Sequence, residues 1–225
     1  MLDSRSQQRP VLRTAYAFYG RTQARLALIV TVVAIAALVL ASLPQFGKPR
    51  IGDPSARGRD VALYLAEIDR VAKGEGYYAV AASELRQRGF PTRSVFNWRT
   101  PLPTCLIAAL GDPRLGKLAL GLLATAAGLL ALVAVAQQSS IQAAMGTSIL
   151  LVGALVFGVL GDSFVMSELW AASLVTLSLG AYGLGRHHFG AFLGIVGLFL
   201  RELVGPYCVI GLLLALYARR RGEAA

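Results

Sequence analysis

The sequence has few charged side chains, and they are unevenly placed. Only 15% of its 225 residues are Asp, Glu, Lys or Arg, against roughly 25% in a soluble domain. From residue 118 to residue 218, Arg186 and Arg201 are the only Lys or Arg residues. A soluble fold of this size needs charge on every exposed face. The pattern therefore excludes an ordinary soluble domain and indicates a membrane protein.

Cysteine and histidine are also scarce, which disfavours disulfide bonds and metal sites. Cys105 and Cys208 stand alone in apolar runs, where a cysteine usually packs as a small core residue. There is no CxxC motif, and the two histidines are adjacent. This spacing offers no metal site, and we expect none. No motif indicates a cofactor, so that question stays open.

The formal net charge of +10 would suit nucleic acid, but its distribution does not favour that partner. The basic residues flank apolar runs, where they set membrane orientation and contact anionic lipid. We therefore expect membrane lipid, and not nucleic acid, as the partner of these charges.

The sequence contains several long apolar runs. Residues 26–43 are eighteen uncharged residues that follow a basic segment. The apolar core of a signal peptide is about 7–15 residues long, so we predict a retained anchor with a cytoplasmic N-terminus. The predicted order is a cytoplasmic segment 1–25, a first span 26–43, an outer loop 44–116, a transmembrane bundle 117–218 and a cytoplasmic tail 219–225.

The number of spans depends on the last apolar stretch. Within the bundle, further runs cover 117–136, 141–160 and 167–185. Residues 189–218 are interrupted by charge and by Gly205-Pro206, and form either one long helix or two short ones. The basic tail favours two. The predicted fold is an all-α polytopic membrane bundle of about six spans, with a helical outer loop after the first span.

The outer loop contains two amphipathic patterns and a third short helix. Helical spacing is found first in Val61, Tyr64, Leu65, Ile68 and Val71, and then in Tyr78, Ala81, Ala82 and Leu85. Thr100 and Pro101 predict an N-cap and a first helical residue for a helix over 101–110 that is too short to span. The acids Asp53, Glu67 and Asp69 are predicted to be solvated.

Four polar residues are candidates for a functional site. Arg201 and Glu202 interrupt an apolar run, Glu168 precedes Trp170, and Asp60 opens the first loop helix. In the six-span topology all four come to the outer side. Each has a structural alternative. Arg201 and Glu202 could mark a helix end with a snorkelling arginine. Glu168 could be an interfacial helix cap, and Asp60 a charge that stabilises a helix N-terminus.

The order of these segments resembles the N-terminal part of integral-membrane glycosyltransferases with the GT-C fold, in an uncharacterised bacterial branch. The matching stretches are Arg59-Asp-Val-Ala-Leu-Tyr, Gly76-Tyr-Tyr-Ala-Val-Ala-Ala, Arg88-Gly-Phe-Pro, Trp98-Arg-Thr-Pro-Leu-Pro, Ser167-Glu-Leu-Trp-Ala and Leu200-Arg-Glu-Leu-Val-Gly-Pro-Tyr. Such enzymes usually carry several more spans, so a fragment, a truncated paralogue and a non-catalytic relative are alternatives to an active transferase.

The resemblance implies a reaction and assigns residues to it. A sugar would move from a polyprenyl-phosphate donor at the outer face of a bacterial plasma membrane. Asp60 and Glu168 would be the catalytic carboxylates, although Val61 follows Asp60 where the family often has a second acid. The expected substrate-binding residues are Tyr64, Arg99, Arg201 and Glu202.

Two other functions remain open on the residues alone. One is a non-catalytic scaffold with helix contacts at small residues such as Gly146 and Gly153. The other is a transporter or channel subunit. The apolar runs show no inverted repeat and few buried polar residues, which disfavours the transporter.

Overall fold

The computed structural model describes residues 59–93, 98–148 and 162–217, together with Thr22, Leu26, Ile29, Val30, Val33 and Ala37. The six separate positions are helical and exposed, and no strand occurs among the residues described. The remainder of the predicted first span, most of the predicted span 141–160, and both terminal segments lie outside this part of the chain.

The described part is built from seven labelled helices and two short 3-10 turns. In chain order they are α1 (Arg59–Ala72), α2 (Tyr77–Gln87), α3 (Pro101–Ala109), α4 (Pro113–Gln138), a 3-10 turn (Ser163–Val165), α5 (Ser167–Gly183), α6 (His187–Leu200), a second 3-10 turn (Glu202–Val204) and α7 (Gly205–Tyr217). Residues 141–148 are also helical. The all-α fold class is confirmed for this part of the chain.

The two predicted loop helices form, with one error in the buried face. The backbone after α1 takes a positive φ of 92° at Gly74, a conformation that glycine adopts without strain. Helix α2 buries Tyr77, Val80, Ala81 and Leu85. Tyr78, which we predicted on the apolar stripe, is exposed. The prediction placed Tyr78 on the buried face instead of its neighbour Tyr77, because the spacing of either tyrosine to the apolar residues after it fits a helix.

Helix α4 is the one described helix that is long and apolar enough to cross a membrane, by length and composition. It has 26 residues and contains an 18-residue stretch with a mean hydropathy of 2.5. It begins before the predicted run 117–136, since Asp112 accepts a hydrogen bond from the Arg114 backbone N–H at 2.8 Å and Pro113 starts the helix. Helices α6 and α7 are shorter apolar helices, and α5 has 17 residues. The count of six spans therefore stays a prediction.

Two apolar cores meet at Trp170. The first joins α1, α2 and α3 to Leu120 of α4 and to Phe164 and Val165 of the first 3-10 turn. The second joins α5 to α6, the second 3-10 turn and α7. Trp170 packs against both cores, and its indole N–H donates to the Phe164 carbonyl at 2.7 Å. The loop helices are thus packed onto the bundle next to the start of α5.

Small residues bring the bundle helices close together. A Cβ atom added at Gly183 of α5 would lie 2.9 Å from the Ala134 Cβ of α4, which is closer than two carbon atoms can pack. The Gln138 side chain also donates to the Gly183 carbonyl. Close backbone approach of this kind is how helices associate in an apolar environment.

Replacing Gly183 with alanine should therefore destabilise the α4–α5 contact. Overpacking a tight contact typically costs about 1–3 kcal/mol, which thermal unfolding in detergent would register as a lower melting temperature. Gly205→Ala is the matched control, because its added Cβ would meet only Leu198 Cδ1 at 3.8 Å. Equal melting temperatures for the two variants would contradict the packing described here.

Candidate functional site

The stretch 189–218 forms two helices, and the break between them is where the charged pair lies. Helix α6 ends at Leu200, Arg201 is extended with φ −152° and ψ 119°, and Glu202 begins the second 3-10 turn. The expected break is confirmed. Arg201 and Glu202 therefore lie at the break between two α-helices and not in the middle of one.

One hydrogen bond joins this break to the segment that carries Arg99, and a second joins that segment to α2. The Thr100 hydroxyl donates to the Leu200 carbonyl at 2.7 Å, and the Tyr77 hydroxyl donates to the Arg99 carbonyl at 3.0 Å. Thr100 holds the predicted N-cap position of α3, but its side chain makes no capping hydrogen bond. The predicted N-cap position is therefore confirmed, and the hydroxyl joins α3 to the end of α6 instead of capping the helix.

Glu168 bridges two arginines that are distant in sequence. Arg99 Nη1 forms an ion pair with Glu168 Oε1, and Arg201 Nη2 lies 3.2 Å from the same oxygen. Arg99 Nη1 also donates to the Ser167 hydroxyl at 3.2 Å. Burial disfavours the charge on Arg99, but Glu168 and Tyr64 outweigh it, so the Arg99 pKa is raised. We call this arrangement the Arg99–Glu168–Arg201 bridge.

Tyr64 contacts Arg99 and is influenced electrostatically by both predicted catalytic carboxylates. The Arg99 guanidinium lies 4.7 Å from the centre of its ring, within the range of a cation–π contact. Burial raises the Tyr64 pKa to about 12, Arg99 opposes that rise, and Asp60, Glu168 and Glu67 add to it. Asp60 is exposed in the first turn of α1, one turn before Tyr64.

Four buried polar atoms at the break have no hydrogen-bond partner within the described part of the chain. They are Arg201 Nε and Nη1 and both carboxylate oxygens of Glu202. Arg201 Nη1 lies 3.8 Å from Glu202 Oε1, which is too long for a hydrogen bond. The Glu202 side chain is 38% exposed, yet its oxygens are buried, so its methylene groups face outward. Unsatisfied buried groups are rare and costly, so these four atoms call for partners that the described residues do not supply.

Glu67 was predicted to be a solvated loop acid, and the structure contradicts this. It is only 3% exposed, on the same face of α1 as Tyr64 and Ile68. Burial raises its pKa to about 7; Arg99 and Arg88 oppose the rise, and Glu84 contributes to it. Helical spacing in the sequence could have indicated this burial, since Glu67 follows Tyr64 by three residues and directly precedes Ile68. Asp69 is exposed with Lys73, as predicted, and Asp53 lies outside the described residues.

The raised Glu67 pKa predicts a pH dependence of stability. The folded chain holds this proton more tightly than the unfolded chain, whose ordinary value is 4.5. The free energy of unfolding should therefore fall as pH rises from about 4.5 to about 7, by roughly 3 kcal/mol at most. Glu67→Gln keeps the neutral form, so its melting temperature should exceed that of the wild type at pH 8 and match it near pH 4. Parallel profiles of melting temperature against pH would contradict a buried, protonated Glu67.

Five of the six predicted site residues form one connected group. They are Tyr64, Arg99, Glu168, Arg201 and Glu202. Asp60 acts electrostatically on Tyr64 from the exposed end of α1. Sequence reasoning missed Ser167, Thr100, Tyr77 and Glu67. The described residues contain no group of three His, Cys, Asp or Glu side chains that could hold a metal ion.

The chemistry of this group is that of anion binding beside carboxylates. Two guanidiniums can grip a phosphate or carboxylate through paired hydrogen bonds. The carboxylates can accept a proton or orient a hydroxyl group. Comparisons with protein-family models, curated proteins and solved structures found no match to this chain.

Proposed function

We propose that this chain is a GT-C-like membrane glycosyltransferase, or a truncated relative of one, that acts on a polyprenyl-phosphate sugar. The observation that carries the proposal is the convergence of Arg99 and Arg201 on one carboxylate, with two further buried donors of Arg201 unsatisfied. Two arginines with spare donors suit the phosphate that leaves when a sugar is transferred.

The proposal includes a place in a bacterial plasma membrane. Helix α4 has the length and composition of a span, and α6 and α7 expose large apolar side chains such as Phe192, Phe199, Ile210 and Leu213. In the proposed six-span topology, with a cytoplasmic N-terminus, these side chains face lipid and the Arg99–Glu168–Arg201 bridge lies at the outer face. The phosphate of a lipid-linked donor would lie at the same level, at the outer face of the membrane.

The proposed reaction assigns one role to each residue. The acceptor hydroxyl attacks the anomeric carbon of the sugar, the bond from that carbon to the phosphate oxygen breaks, and polyprenyl phosphate leaves. Asp60 takes the hydroxyl proton. Arg99 and Arg201 bind the charge that grows on the leaving phosphate, Glu168 and Glu202 orient the acceptor, and Tyr64 holds Arg99 in place.

The experiment supplies purified chain in nanodiscs with a radiolabelled polyprenyl-phosphate sugar and a bacterial membrane extract as the source of acceptors. We expect donor to raise the melting temperature and label to pass to an acceptor. Binding without transfer would favour a truncated, non-catalytic relative. No thermal shift and no transfer would support a scaffold instead, and solute flux in proteoliposomes would support a transporter subunit.

A further inference from the structure

The Glu168 carboxylate lies where two guanidinium groups converge. Its Oε1 is the partner of Arg99 Nη1 and also of Arg201 Nη2, at 3.2 Å from the latter. A carboxylate and a phosphate present similar acceptor oxygens to an arginine. The position that suits an incoming phosphate is thus filled by an anion of the chain itself.

Charge balance shows why the two anions compete. Arg99 and Arg201 carry two positive charges, and Glu168 and Glu202 carry two negative ones, so the cluster is neutral as it stands. Adding a phosphate would leave an excess negative charge in a largely buried place, which is unfavourable. One carboxylate must therefore take up a proton or move away when a phosphate binds.

Exposure identifies which carboxylate can move. The Glu202 oxygens are buried, whereas the Glu168 side chain is 41% exposed at the start of α5. A rotation of the Glu168 side chain would bring its carboxylate into solvent without opening either core. A phosphate has more oxygens than a carboxylate, so it could also bind Arg201 Nε and Nη1, which Glu168 leaves unsatisfied.

We propose that Glu168 is a displaceable internal anion, which a phosphate-bearing lipid replaces on Arg99 and Arg201. The identity of the lipid rests on the function proposed above. Displacement would leave a free carboxylate beside the bound phosphate. The chain would then have its second carboxylate available for the acceptor only while a donor is bound.

Removing the internal anion should strengthen phosphate binding. In phosphatidylcholine nanodiscs, Glu168→Gln should bind polyprenyl phosphate about tenfold more tightly than the wild type, because a charge-assisted competitor is lost. Glu84→Gln is the matched control: Glu84 also bridges two arginines, Arg70 and Arg88, at 3.1 Å each, but it pairs with neither arginine of the Arg99–Glu168–Arg201 bridge. An equal gain in both variants would show adventitious anion binding to any freed arginine pair and would overturn the proposal.

Two further probes identify the source of the phosphate. Inorganic phosphate carries the anion without the lipid, and polyprenol carries the lipid without the anion. A tenfold gain for inorganic phosphate as well as for the lipid would support a site for the anion alone. A gain for polyprenyl phosphate only would support a lipid headgroup site. A gain for polyprenol would overturn the proposal.

A measurement on the wild type covers the case in which Glu168→Gln fails to fold. A water-soluble carbodiimide modifies free carboxylates, and mass spectrometry locates the modified residues. Polyprenyl phosphate should increase labelling of Glu168 several-fold, with the exposed Asp69 as internal reference. Unchanged or reduced labelling, with the lipid bound, would overturn the proposal.

The outcomes separate this inference from the function proposed above. Tighter phosphate binding by Glu168→Gln without sugar transfer by the wild type would uphold the internal anion and reject the transferase. The opposite result is sugar transfer by the wild type, with no gain in donor affinity in Glu168→Gln and no gain in labelling. It would uphold the transferase and reject the internal anion.

Discussion

Replacing Asp60 with asparagine should reduce sugar transfer from a polyprenyl-phosphate donor by about 10²–10⁴, the usual effect of losing a general base. The amide keeps the shape of the side chain but removes its charge and most of its basicity. Asp60 lies in the first turn of α1 and acts on Tyr64, which contacts Arg99. Asp60 is exposed, so an acceptor hydroxyl could reach it without opening either core.

A purely structural role for Asp60 predicts a different result. A carboxylate in the first turn of a helix stabilises it by at most about 1 kcal/mol, and its loss would leave transfer unchanged. Asp69→Asn is the control, because Asp69 lies on the same helix in an exposed pair with Lys73. Rates and melting curves should be measured for both variants. Equal transfer by Asp60→Asn and the wild type would remove Asp60 from the mechanism.

Replacing Arg201 with leucine should weaken polyprenyl-phosphate binding by about 100-fold. Hydrogen bonds to charged groups each contribute roughly 1.5–3 kcal/mol, and Arg201 offers Nη2 together with the unsatisfied Nε and Nη1. The fold should persist, because Glu168 keeps its pairing with Arg99. Melting curves without ligand check the fold, and titration with polyprenyl phosphate measures the affinity.

Two further variants make the Arg201 result specific. Arg201→Lys keeps the charge but loses the planar set of donors, so it should recover only part of the affinity. Arg186→Leu removes the other Lys or Arg of residues 118–218, from the segment before α6. It should bind as the wild type does. If Arg201→Leu binds as tightly as the wild type, the charged break is only a helix end.

The sequence predicted the meeting of distant polar residues because span topology determines which helix ends share a side. Glu168 lies at the start of α5 and Arg201 at the end of α6, and the six-span topology predicts both on one side of the membrane. Their direct ion pair, with Arg99 as a third member, matches that expectation. The break between α6 and α7 was favoured over one long helix by the basic tail, which the positive-inside tendency places in the cytoplasm.

Other features could not be predicted, because tertiary contacts decide them. Thr100 has the residue type of an N-cap, yet its hydroxyl bonds to Leu200, a hundred residues away. Glu67 is an acid in a loop, which suggests solvent, but the face that it occupies is set by Tyr64 and Ile68. The number of spans depends on helices as short as α6 and α7, for which length alone gives no answer.

The most direct test of the account is to locate a bound polyprenyl phosphate on the wild-type chain. A polyprenyl phosphate with a diazirine in its first isoprene unit would be photolysed with the protein in nanodiscs, and labelled residues would be identified by mass spectrometry. We expect label near Arg99, at the start of α5 and at the break around Arg201, competed by polyprenyl phosphate but not by polyprenol. Label spread over the exposed faces of α6 and α7, and competed equally by polyprenol, would contradict it.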